Sequence, residues 1–379
     1  MLIDQLALLA PERCADLDGL RAQFACEEQL TAEFVRRKWL TQLQGRWLLR
    51  GHGPRLIVGS YVLVDRIGEG GMGQVFLARH RTFGRPAAIK VLRPDRRDNR
   101  RGRARFLREV RALGRLDHPN VVHAYDAGVI GRACYLVMEY VPGPDLAQVI
   151  ASGERLPVGH VCEYARQAAL GLHHMHERGL IHRDVKPGNV SLAEGGRVVK
   201  LLDVGLVKDR VAPDADGDAL TQAGWLVGTA DYASPEQVLN ARSVGRRSDQ
   251  YALGCTLYHL LAGEVPFTGG TPVSRALRRV TENARPISEL CPDLPTGLSE
   301  VVGRLLAREP KGRFPSALAA AEALAPFAAL LVKAADETIV HISTCPTLPT
   351  LPTIDGPAAT ESELHEEPEV AQQIGPSAG

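Results

Sequence analysis

The densest group of residues able to do chemistry lies between positions 181 and 203. Asp184 and Asn189 are five positions apart on a predicted loop, with Lys186 between them. This spacing can aim a carboxylate at a hydroxyl group while the amide binds a metal ion. Asp203 adds a second carboxylate shortly before a glycine. Because Mg²⁺ prefers hard oxygen ligands and phosphate oxygens, this aspartate and the asparagine together indicate a magnesium–phosphate site.

A glycine-rich stretch lies upstream and is a candidate phosphate-binding loop. Glycines let a backbone approach phosphate oxygens closely and present N–H groups to them. The pattern alone fits a glycine-rich hairpin turn equally well. A dinucleotide-binding fold is disfavoured, since that fold needs a helix after the glycines and a strand-like stretch follows here. The residues of the loop are Ile67, Gly68, Glu69, Gly70, Gly71, Met72, Gly73, Gln74 and Val75.

A lysine stands inside an apolar, strand-like stretch at residues 87–92. Burial of Lys90 would cost desolvation energy unless an anion or a carboxylate meets it. Glu109, on the predicted helix at residues 104–116, is the expected partner. If these two residues stood alone, a coincidental surface pair would be the better interpretation. Their position between the glycine-rich stretch and the loop of Asp184 favours a functional pair.

In their order along the chain, these stretches resemble the signature of protein kinases. The resemblance covers about residues 61–328 and rests on five motifs: G-x-G-x-x-G-x-V from Gly68, A-A-I-K ending at Lys90, H-R-D-x-K-P-x-N from His182, D-x-G from Asp203 and S-P-E ending at Glu236. Two further stretches, His-Pro-Asn-Val-Val from His118 and Gly-Thr-Ala-Asp-Tyr-Ala-Ser-Pro-Glu-Gln from Gly228, resemble bacterial Hanks-type (eukaryotic-like) Ser/Thr kinases.

The resemblance implies an α+β, two-lobed protein-kinase fold with a small β-rich N-lobe and a larger α-helical C-lobe. Leu, Arg and Gln are frequent in the helical N-terminal extension, where Thr31 and Thr41 are predicted helix N-caps. Pro, Thr and acidic residues at the C-terminal end predict a disordered tail. The predicted boundaries are 1–58 for the extension, 59–142 for the N-lobe, 143–328 for the C-lobe and 329–379 for the tail.

The resemblance also implies the catalytic and metal-binding roles. Asp184 would accept the proton of the substrate hydroxyl, and Lys186 would neutralise charge on the γ-phosphate. Asn189 and Asp203 would hold Mg²⁺, with Mn²⁺ as an alternative. A lysine two positions after the catalytic aspartate is what Ser/Thr-directed members of the family carry. The implied cofactors are therefore ATP and Mg²⁺.

The same resemblance implies a nucleotide site. The glycine loop would cover the ATP phosphates, and Lys90, held by Glu109, would contact the α- and β-phosphates. The remaining nucleotide contacts would come from Ala88 in the adenine pocket, Met138 at the gatekeeper position, Glu139 and Val141 in the hinge, and Asp145 beside the ribose.

Control of activity is implied by Arg183, which in such kinases pairs with a phosphate on the activation segment. Thr221, in a polar part of that segment, is the candidate autophosphorylation site, while Thr229 looks structural. Glu236 is expected to pair with Arg313, and Asp249 is expected to brace the catalytic loop. Three departures from the family pattern put the rate and the nucleotide affinity in question without removing a catalytic group: Val204, Ala124 and Ser191.

Composition excludes several other classes of protein. The chain has 379 residues and a net charge of +1, from 45 Lys and Arg against 44 Asp and Glu, so it is not a nucleic-acid binder held by a global positive field. Its seven scattered cysteines form no CxxC pair, which argues against a disulfide framework or a zinc module. A metal site at His173, His174 and His176 is disfavoured. No stretch predicts a signal peptide or a membrane span, and a cytoplasmic location is expected.

These patterns predict a Ser/Thr protein kinase, activated by autophosphorylation, that acts on Ser and Thr hydroxyls of protein substrates. Self-association for trans-autophosphorylation is an additional expectation, and no nucleic acid or membrane partner is expected. The first alternative is a pseudokinase, a nucleotide-binding signalling scaffold without activity. The second is a phosphotransferase of the same fold that acts on small molecules.

Overall fold

The computed structural model describes residues 17–70, 73–92, 100–131, 133–203, 230–240 and 243–330. Their backbone contacts divide them into two compact units. Within the described residues, the first unit contains the chain from Leu17 to Val62 together with His80–Arg85. The second unit contains Leu63–Arg79 and the chain from Pro86 onward, and it carries every described residue of the predicted site.

The first unit is mainly helical, as the sequence predicts. Thr41 caps its third helix through a capping box, because Gln44 N donates to Thr41 Oγ1 at 3.2 Å and Thr41 N donates to Gln44 Oε1 at 3.0 Å. Its elements are α1 (Leu17–Arg21), α2 (Glu27–Arg36), α3 (Gln42–Leu49), a 3₁₀ turn (Gly53–Leu56) and the short strand β1 (Ile57–Val58).

The prediction that Thr31 caps a helix is wrong. Thr31 lies inside α2, which begins after Cys26, and its side chain is buried. Glu27 and Glu28 occupy the first turn of α2, where acidic side chains interact favourably with the helix dipole. Thr31 packs instead toward Gly45 of α3, where an added Cβ would lie 3.0 Å from the Thr31 methyl group.

A mainly antiparallel sheet forms the β-rich lobe. Its strands are β2 (Tyr61–Gly70), which starts in the first unit, β3 (Gly73–His80), β4 (Pro86–Leu92), β5 (Ala124–Ile130) and β6 (Ala133–Glu139). In the described residues they lie side by side in the order β2-β3-β4-β6-β5. The helix α4 (Arg100–Leu113) connects β4 to β5. The predicted strands β2, β3, β4 and β6 and the predicted helix are confirmed, whereas β5 was not predicted.

The helical lobe follows, and its core lies around a central helix. Its elements are α5 (Leu146–Ala151), α6 (Val158–Glu177), the hairpin of β7 (Val190–Ala193) and β8 (Val198–Leu201), α7 (Pro235–Leu239), α8 (Arg246–Ala262), α9 (Pro272–Thr281), α10 (Leu298–Leu305) and α11 (Ala317–Ala328). Every residue of α8 from Ser248 to Tyr258 is buried, so this helix is covered on all sides. The predicted α+β architecture, a β-rich lobe followed by a larger α-helical lobe, is thereby confirmed.

Close packing of α6 depends on a glycine. A Cβ at Gly171 would lie 2.8 Å from the Asn120 carbonyl oxygen and 2.9 Å from Leu201 Cδ1. Without a side chain there, α6 approaches both the segment before β5 and the strand β8. Across the part of the chain that the structure describes, no helix has the length and hydrophobicity to cross a membrane.

Candidate active site

The predicted catalytic loop, residues 182–189, is held by one buried carboxylate. Asp249 of α8 accepts hydrogen bonds from the backbone N–H groups of His182 at 2.9 Å and of Arg183 at 2.8 Å. His176 Nε2 lies 2.7 Å from the same carboxylate. Arg183 has a φ of 64°, a left-handed conformation that costs energy for a non-glycine residue. These contacts fix that conformation, so Asp249 stands where the sequence places a brace for the loop.

Three predicted residues meet on this loop. Lys186 Nζ lies 3.1 Å from Asp184 Oδ2. Asn189 Nδ2 donates to Asp184 Oδ2 at 3.1 Å and to the Asp184 carbonyl oxygen at 2.7 Å. The carboxylate of Asp184 is therefore oriented from two sides and faces a cation. Such an arrangement keeps a proton acceptor aimed in one direction.

The β7–β8 hairpin brings Asn189 and Asp203 together. Asn189 immediately precedes β7, and Leu202 N donates to the Asn189 carbonyl oxygen at 2.9 Å where β8 ends. His182 Nε2 donates to the Leu202 carbonyl oxygen at 2.8 Å. Asp203 follows with a φ of 54°. The two candidate metal ligands therefore stand at the same open end of one hairpin, beside the catalytic loop.

Lys90 reaches this end of the hairpin from the sheet. Its Nζ lies 2.8 Å from Asp203 Oδ1, and both side chains are partly buried. The predicted cost of placing Lys90 in an apolar strand is thus offset by a carboxylate. Glu109 lies on α4 and is partly buried. Its pairing with Lys90 stays a prediction.

An apolar cluster lies on the face of the sheet that carries Lys90. Val75 of β3 pairs with Lys90, and Ala88 of β4 pairs with Met138 of β6. Directly opposed residues point to the same face, as do residues two apart on a strand. The cluster consists of the buried Ala88, Val122 and Met138 and the partly buried Val75, Tyr140, Val141 and Leu202.

Four members of this cluster were predicted to contact nucleotide, and three were missed. Val122, Tyr140 and Leu202 belong to it although the sequence analysis did not assign them. Leu202 directly precedes Asp203, so its position next to a candidate metal ligand was an available signal.

The glycine loop forms the end of the β2–β3 pair. Ile67 is exposed, and a Cβ at Gly68 would lie 3.6 Å from Val75 Cβ. Glu69 Oε2 accepts a hydrogen bond from Arg66 Nη1 at 2.6 Å. The other described members are Gly70, Gly73 and Gln74, while Gly71 and Met72 lie outside the described residues.

Glu139, the predicted hinge residue, contacts the strand that precedes Asp203. Lys200 Nζ of β8 lies 2.9 Å from Glu139 Oε2, which also accepts the backbone N–H of His123 at 3.2 Å. Glu139 N in turn donates to the His123 carbonyl oxygen at 2.8 Å. Lys200 was not among the predicted residues, since nothing local in the sequence indicates its partner.

Asp145 and Ser191 lie where the chain leaves the predicted hinge. Asp145 caps α5, accepting the N–H of Gln148 at 2.8 Å, and burial raises the pKa of its carboxyl group. Ser191 is buried, and its hydroxyl donates to the Gly143 carbonyl oxygen at 3.4 Å. A side chain at Gly143 would collide with the Leu192 carbonyl oxygen, so the chain crosses β7 closely here.

Of the other two departures from the family pattern, the structure describes only one. Ala124 pairs with Met138 at the start of β5, next to a register shift. Val204 lies outside the described residues, as do the candidate regulatory residues Thr221 and Thr229.

The buried Arg313 and the partly buried Glu236 form a two-point ion pair. Arg313 Nη1 lies 2.7 Å from Glu236 Oε1, and Nη2 lies 2.9 Å from Oε2. Ser248 Oγ donates to Glu236 Oε1 at 2.7 Å. Burial alone would raise the pKa of Glu236, but Arg313 and Ser248 together hold it below its ordinary value.

Two histidines of α6 have hydrogen-bonding partners in the protein. His176 contacts Asp249, as described above, and Arg178 Nη1 lies 3.2 Å from His174 Nδ1. The ring of His174 also packs against that of His118, with centroids 4.9 Å apart. Among the described residues, no group of three or more His, Cys, Asp and Glu side chains could hold a metal ion.

Comparison with known proteins gives a family match across most of the chain. Residues 61–324 match the model of the protein kinase domain. The chain is 39% identical over 268 residues to the serine/threonine-protein kinase PknB of Mycobacterium leprae, covering 70% of this chain and 42% of that one. It is 38% identical over 269 residues to a probable PknB of Bifidobacterium longum, covering 68% and 38%. The matched region thus spans less than half the length of these relatives.

Solved structures give the same match. The kinase domain of Mycobacterium tuberculosis PknI aligns with a TM-score of 0.55 and 32% identity, covering 72% of this chain and 97% of that one. Residues 1–466 of Rad53 in complex with AMP-PNP align with a TM-score of 0.58 and 25% identity, covering 71% and 65%.

Proposed function

This chain belongs to the protein kinase family, in its bacterial Hanks-type (eukaryotic-like) branch, and we propose that it transfers the γ-phosphate of ATP to Ser and Thr hydroxyls of protein substrates. One observation carries the proposal. Lys90 meets Asp203 at 2.8 Å, and Asp203 stands at the hairpin end that also presents Asn189, whose amide contacts Asp184. An ammonium group, two oxygen ligands and a proton acceptor thus converge where a terminal phosphate would lie.

The proposed transfer needs little covalent chemistry from the protein. Asp184 accepts the proton of the attacking hydroxyl group while the hydroxyl oxygen forms a bond to the γ-phosphorus. The bond from that phosphorus to the bridging oxygen breaks, and ADP leaves with the electron pair. Lys186 neutralises charge on the γ-phosphate, and Lys90 orients the α- and β-phosphates. The main contribution is positioning and charge neutralisation.

The nucleotide lies, in this proposal, against the apolar cluster of Ala88 and Met138, below the glycine loop. Glu139 and Val141 form the hinge beside adenine, and Asp145 faces the ribose. The backbone N–H groups of the loop residues contact the phosphates. Support comes from the shared sheet face of Val75, Ala88 and Met138.

The donor set fits Mg²⁺, with Mn²⁺ as an alternative. Asn189 donates both described hydrogen bonds through Nδ2, which leaves its amide oxygen as the atom able to bind a cation. Asp203 supplies a carboxylate, and oxygen ligands are those that Mg²⁺ prefers. When bound there by Asn189 and Asp203, the ion would neutralise negative charge on the phosphates.

Labelled ATP tests the proposal. The full chain with Mg²⁺ is expected to transfer phosphate to peptides with Ser or Thr as the sole hydroxyl acceptor, and not to matched Tyr peptides. Lys90→Met and Asp184→Asn should lose transfer by about 10²-fold or more, because positioning and proton transfer each contribute at least that much. The exposed Lys311→Met and Asp293→Asn variants are matched controls that should behave as the wild type.

Two outcomes would overturn the proposal. Binding of AMP-PNP without transfer by the wild type would favour the scaffold alternative. Transfer to free alcohols but to no peptide would favour a small-molecule phosphotransferase. Either result leaves the kinase fold intact and changes only the assigned activity.

Regulation by autophosphorylation belongs to the same proposal. Thr221 would carry the phosphate and Arg183 would bind it, through charge-assisted hydrogen bonds. Transfer between two copies of the chain would show as a phosphorylation rate that rises more steeply than protein concentration. Phosphopeptide mapping that finds Thr221 unmodified in an active preparation would remove it as the site.

A further inference from the structure

The C-terminal end of the chain and the first unit carry opposite charge. The last 46 residues, 334–379, contain eight Asp and Glu and no Lys or Arg. Five of the eight are glutamates within residues 361–369, here called the acidic segment. The described part of the first unit, residues 17–62 and 80–85, has nine Lys and Arg against four Asp and Glu. The near-neutral chain thus combines two regions of opposite sign.

One side of α3 presents part of this positive charge to solvent. The other side of the helix is buried and packs on α2. Leu49, an apolar residue, is 43% exposed. The exposed side, here called the α3 face, consists of four exposed residues whose spacing of three or four positions places them next to one another on the helix: Gln42, Arg46, Leu49 and Arg50.

The two arginines of the α3 face differ from those of the neighbouring helix. On α2, Arg36 and Arg37 each donate to the carboxylate of Glu33 at 2.6 Å. Within the part of the chain that the structure describes, no ion pair or hydrogen bond joins the side chain of Arg46 or Arg50 to another residue. Both guanidinium groups are therefore able to bind an anionic group.

The helix dipole accounts for only part of this arrangement. Basic side chains in the last turn of a helix interact favourably with the dipole, and Arg46 lies in that turn. Two like charges one turn apart nevertheless repel each other, and the dipole gives no reason for an exposed leucine between them. A partner with negative charge and an apolar side chain would satisfy all three residues. The acidic segment has that composition, since Leu364 stands among its glutamates.

The acidic segment is long enough, with the chain before it, to reach the α3 face. Thirty residues separate Leu330, the last described residue, from position 361. A stretch of that length spans up to about 100 Å when extended, and about 30 Å on average as a flexible chain. A connection of this kind gives an effective concentration on the order of millimolar. Several exposed ion pairs, each weak alone, are then sufficient for binding.

We propose that the acidic segment binds the α3 face of the same chain. Its glutamates contact Arg46 and Arg50, and Leu364 covers Leu49. The contact joins the C-terminal end of the chain to the unit in which β2, the strand that leads to the glycine loop, begins. The inference goes beyond the proposed function, since neither partner belongs to the candidate active site.

Hydrogen–deuterium exchange of the full chain tests the inference. Combined Glu363→Gln, Glu366→Gln and Glu367→Gln should speed exchange of the α3 amides about threefold at low salt, the effect of losing a ligand present at about twice its dissociation constant. At about 1 M NaCl, where the Debye length is about 3 Å, the difference should vanish. The matched control makes the same change in charge at three exposed glutamates outside the first unit: Glu264→Gln, Glu282→Gln and Glu309→Gln.

An exchange of charges separates this contact from a purely structural role of the arginines. Arg46→Glu with Arg50→Glu should remove the protection of α3, and lysines at the three tail positions should restore it. A structural role would not be restored from the tail. Circular dichroism identifies any variant that fails to fold. In that case Arg46→Gln with Arg50→Gln takes its place, and the three tail changes to Gln should then have no further effect on α3.

Three results would overturn the inference. Equal α3 exchange in the wild type and the tail variant at low salt would mean that the acidic segment does not bind there. A change confined to α4, whose sequence is also rich in arginine, would place the segment on another surface. Protection that rises with protein concentration, with a doubled mass in light scattering, would show binding to a second copy. The kinase proposal stands in each case.

Discussion

The groups that would react and the groups that hold them differ in their access to water. Lys90, Asp184, Lys186 and Asp203 have side chains between 13% and 32% exposed. The supporting His176, Asp249 and Arg313 are 2%, 1% and 0% exposed. Both sets consist of ion pairs and charge-assisted hydrogen bonds. They are nevertheless built for different tasks.

The reacting groups must exchange partners, so water and substrate need to reach them. Pairs that remain partly solvated add little to stability, because the solvent screens them and competes for their hydrogen bonds. The supporting groups keep one partner in a dry environment, where removal of one charge leaves the other unsatisfied. Chemistry and stability should therefore be separable by mutation in this chain.

Asp249→Asn should give the largest loss of stability. The carboxylate accepts two backbone N–H groups and contacts His176, whereas an asparagine would direct its own N–H₂ toward one of those donors. We expect a loss of about 3–5 kcal/mol in the free energy of unfolding, measured by urea denaturation. Asp184→Asn, at a partly exposed position, should change it by less than about 1 kcal/mol while abolishing transfer.

The exposed Asp293→Asn variant is the control for both, and it should unfold like the wild type. The distinction between reacting and supporting groups would be wrong if Asp184→Asn and Asp249→Asn lowered the free energy of unfolding equally. It would also be wrong if Asp249→Asn left the urea midpoint unchanged.

Local motifs explain most of what the sequence could predict. The fold class, the strands β2, β3, β4 and β6 and the order of the catalytic residues follow from short stretches whose backbone geometry is set locally. Thr41 was predicted as a cap for the same reason. The wrong prediction for Thr31 shows the limit, because burial against α3 outweighed its capping preference. The strand β5 was missed, since its burial pattern does not alternate and its register shifts at Ala124.

Contacts between distant parts of the chain were harder to predict. Lys90 meets Asp203, and Lys200 meets Glu139, because the hairpin of β7 and β8 faces the sheet. Nothing local in the sequence encodes that arrangement. The contact of Glu236 with Arg313 was expected only because a family resemblance supplied it. Long-range partners are thus set by packing, which periodicity does not reveal.

Glu236→Gln should lower the free energy of unfolding by an intermediate amount, and the size of this loss should depend on pH. The ordinary pKa of a glutamate is near 4.5, and Arg313 and Ser248 hold that of Glu236 below it despite burial. A carboxyl group with a lowered pKa in the folded state stabilises the protein above its unfolded pKa, and this contribution is lost as pH falls through the folded pKa. At neutral pH the variant should therefore unfold more easily than the wild type by about 2 kcal/mol.

The difference between Glu236→Gln and the wild type should shrink as pH falls from 4.5 through the lower pKa of the folded state, because the unfolded wild-type chain is protonated first and the folded carboxylate only at lower pH. Urea midpoints of both proteins across that range measure it. Glu289→Gln, which removes an exposed partner of Arg285, should differ little from the wild type at any pH. A constant difference for Glu236→Gln at all pH values would show that shape, and not charge, makes the contribution.

Lys200 and Glu139 belong neither to the reacting groups nor to the buried supporting groups. Loss of their ion pair should have the smallest effect of the changes considered. Their side chains are 12% and 23% exposed, and they join the hinge to the strand that leads to Asp203. Lys200→Met and Glu139→Gln should each raise the KM for ATP about threefold, with kcat unchanged, since an ion pair of this exposure contributes about 0.2–1 kcal/mol.

A double-mutant cycle decides whether this effect belongs to the pair. The double variant of Lys200→Met and Glu139→Gln should be no worse than either single variant, because each single change already removes the contact. Additive losses would mean that the two side chains act separately, with Glu139 acting through the His123 backbone it also contacts. A fall in kcat larger than the rise in KM would instead place Lys200 among the residues that orient Asp203, and the boundary between reacting and supporting groups would move to include it.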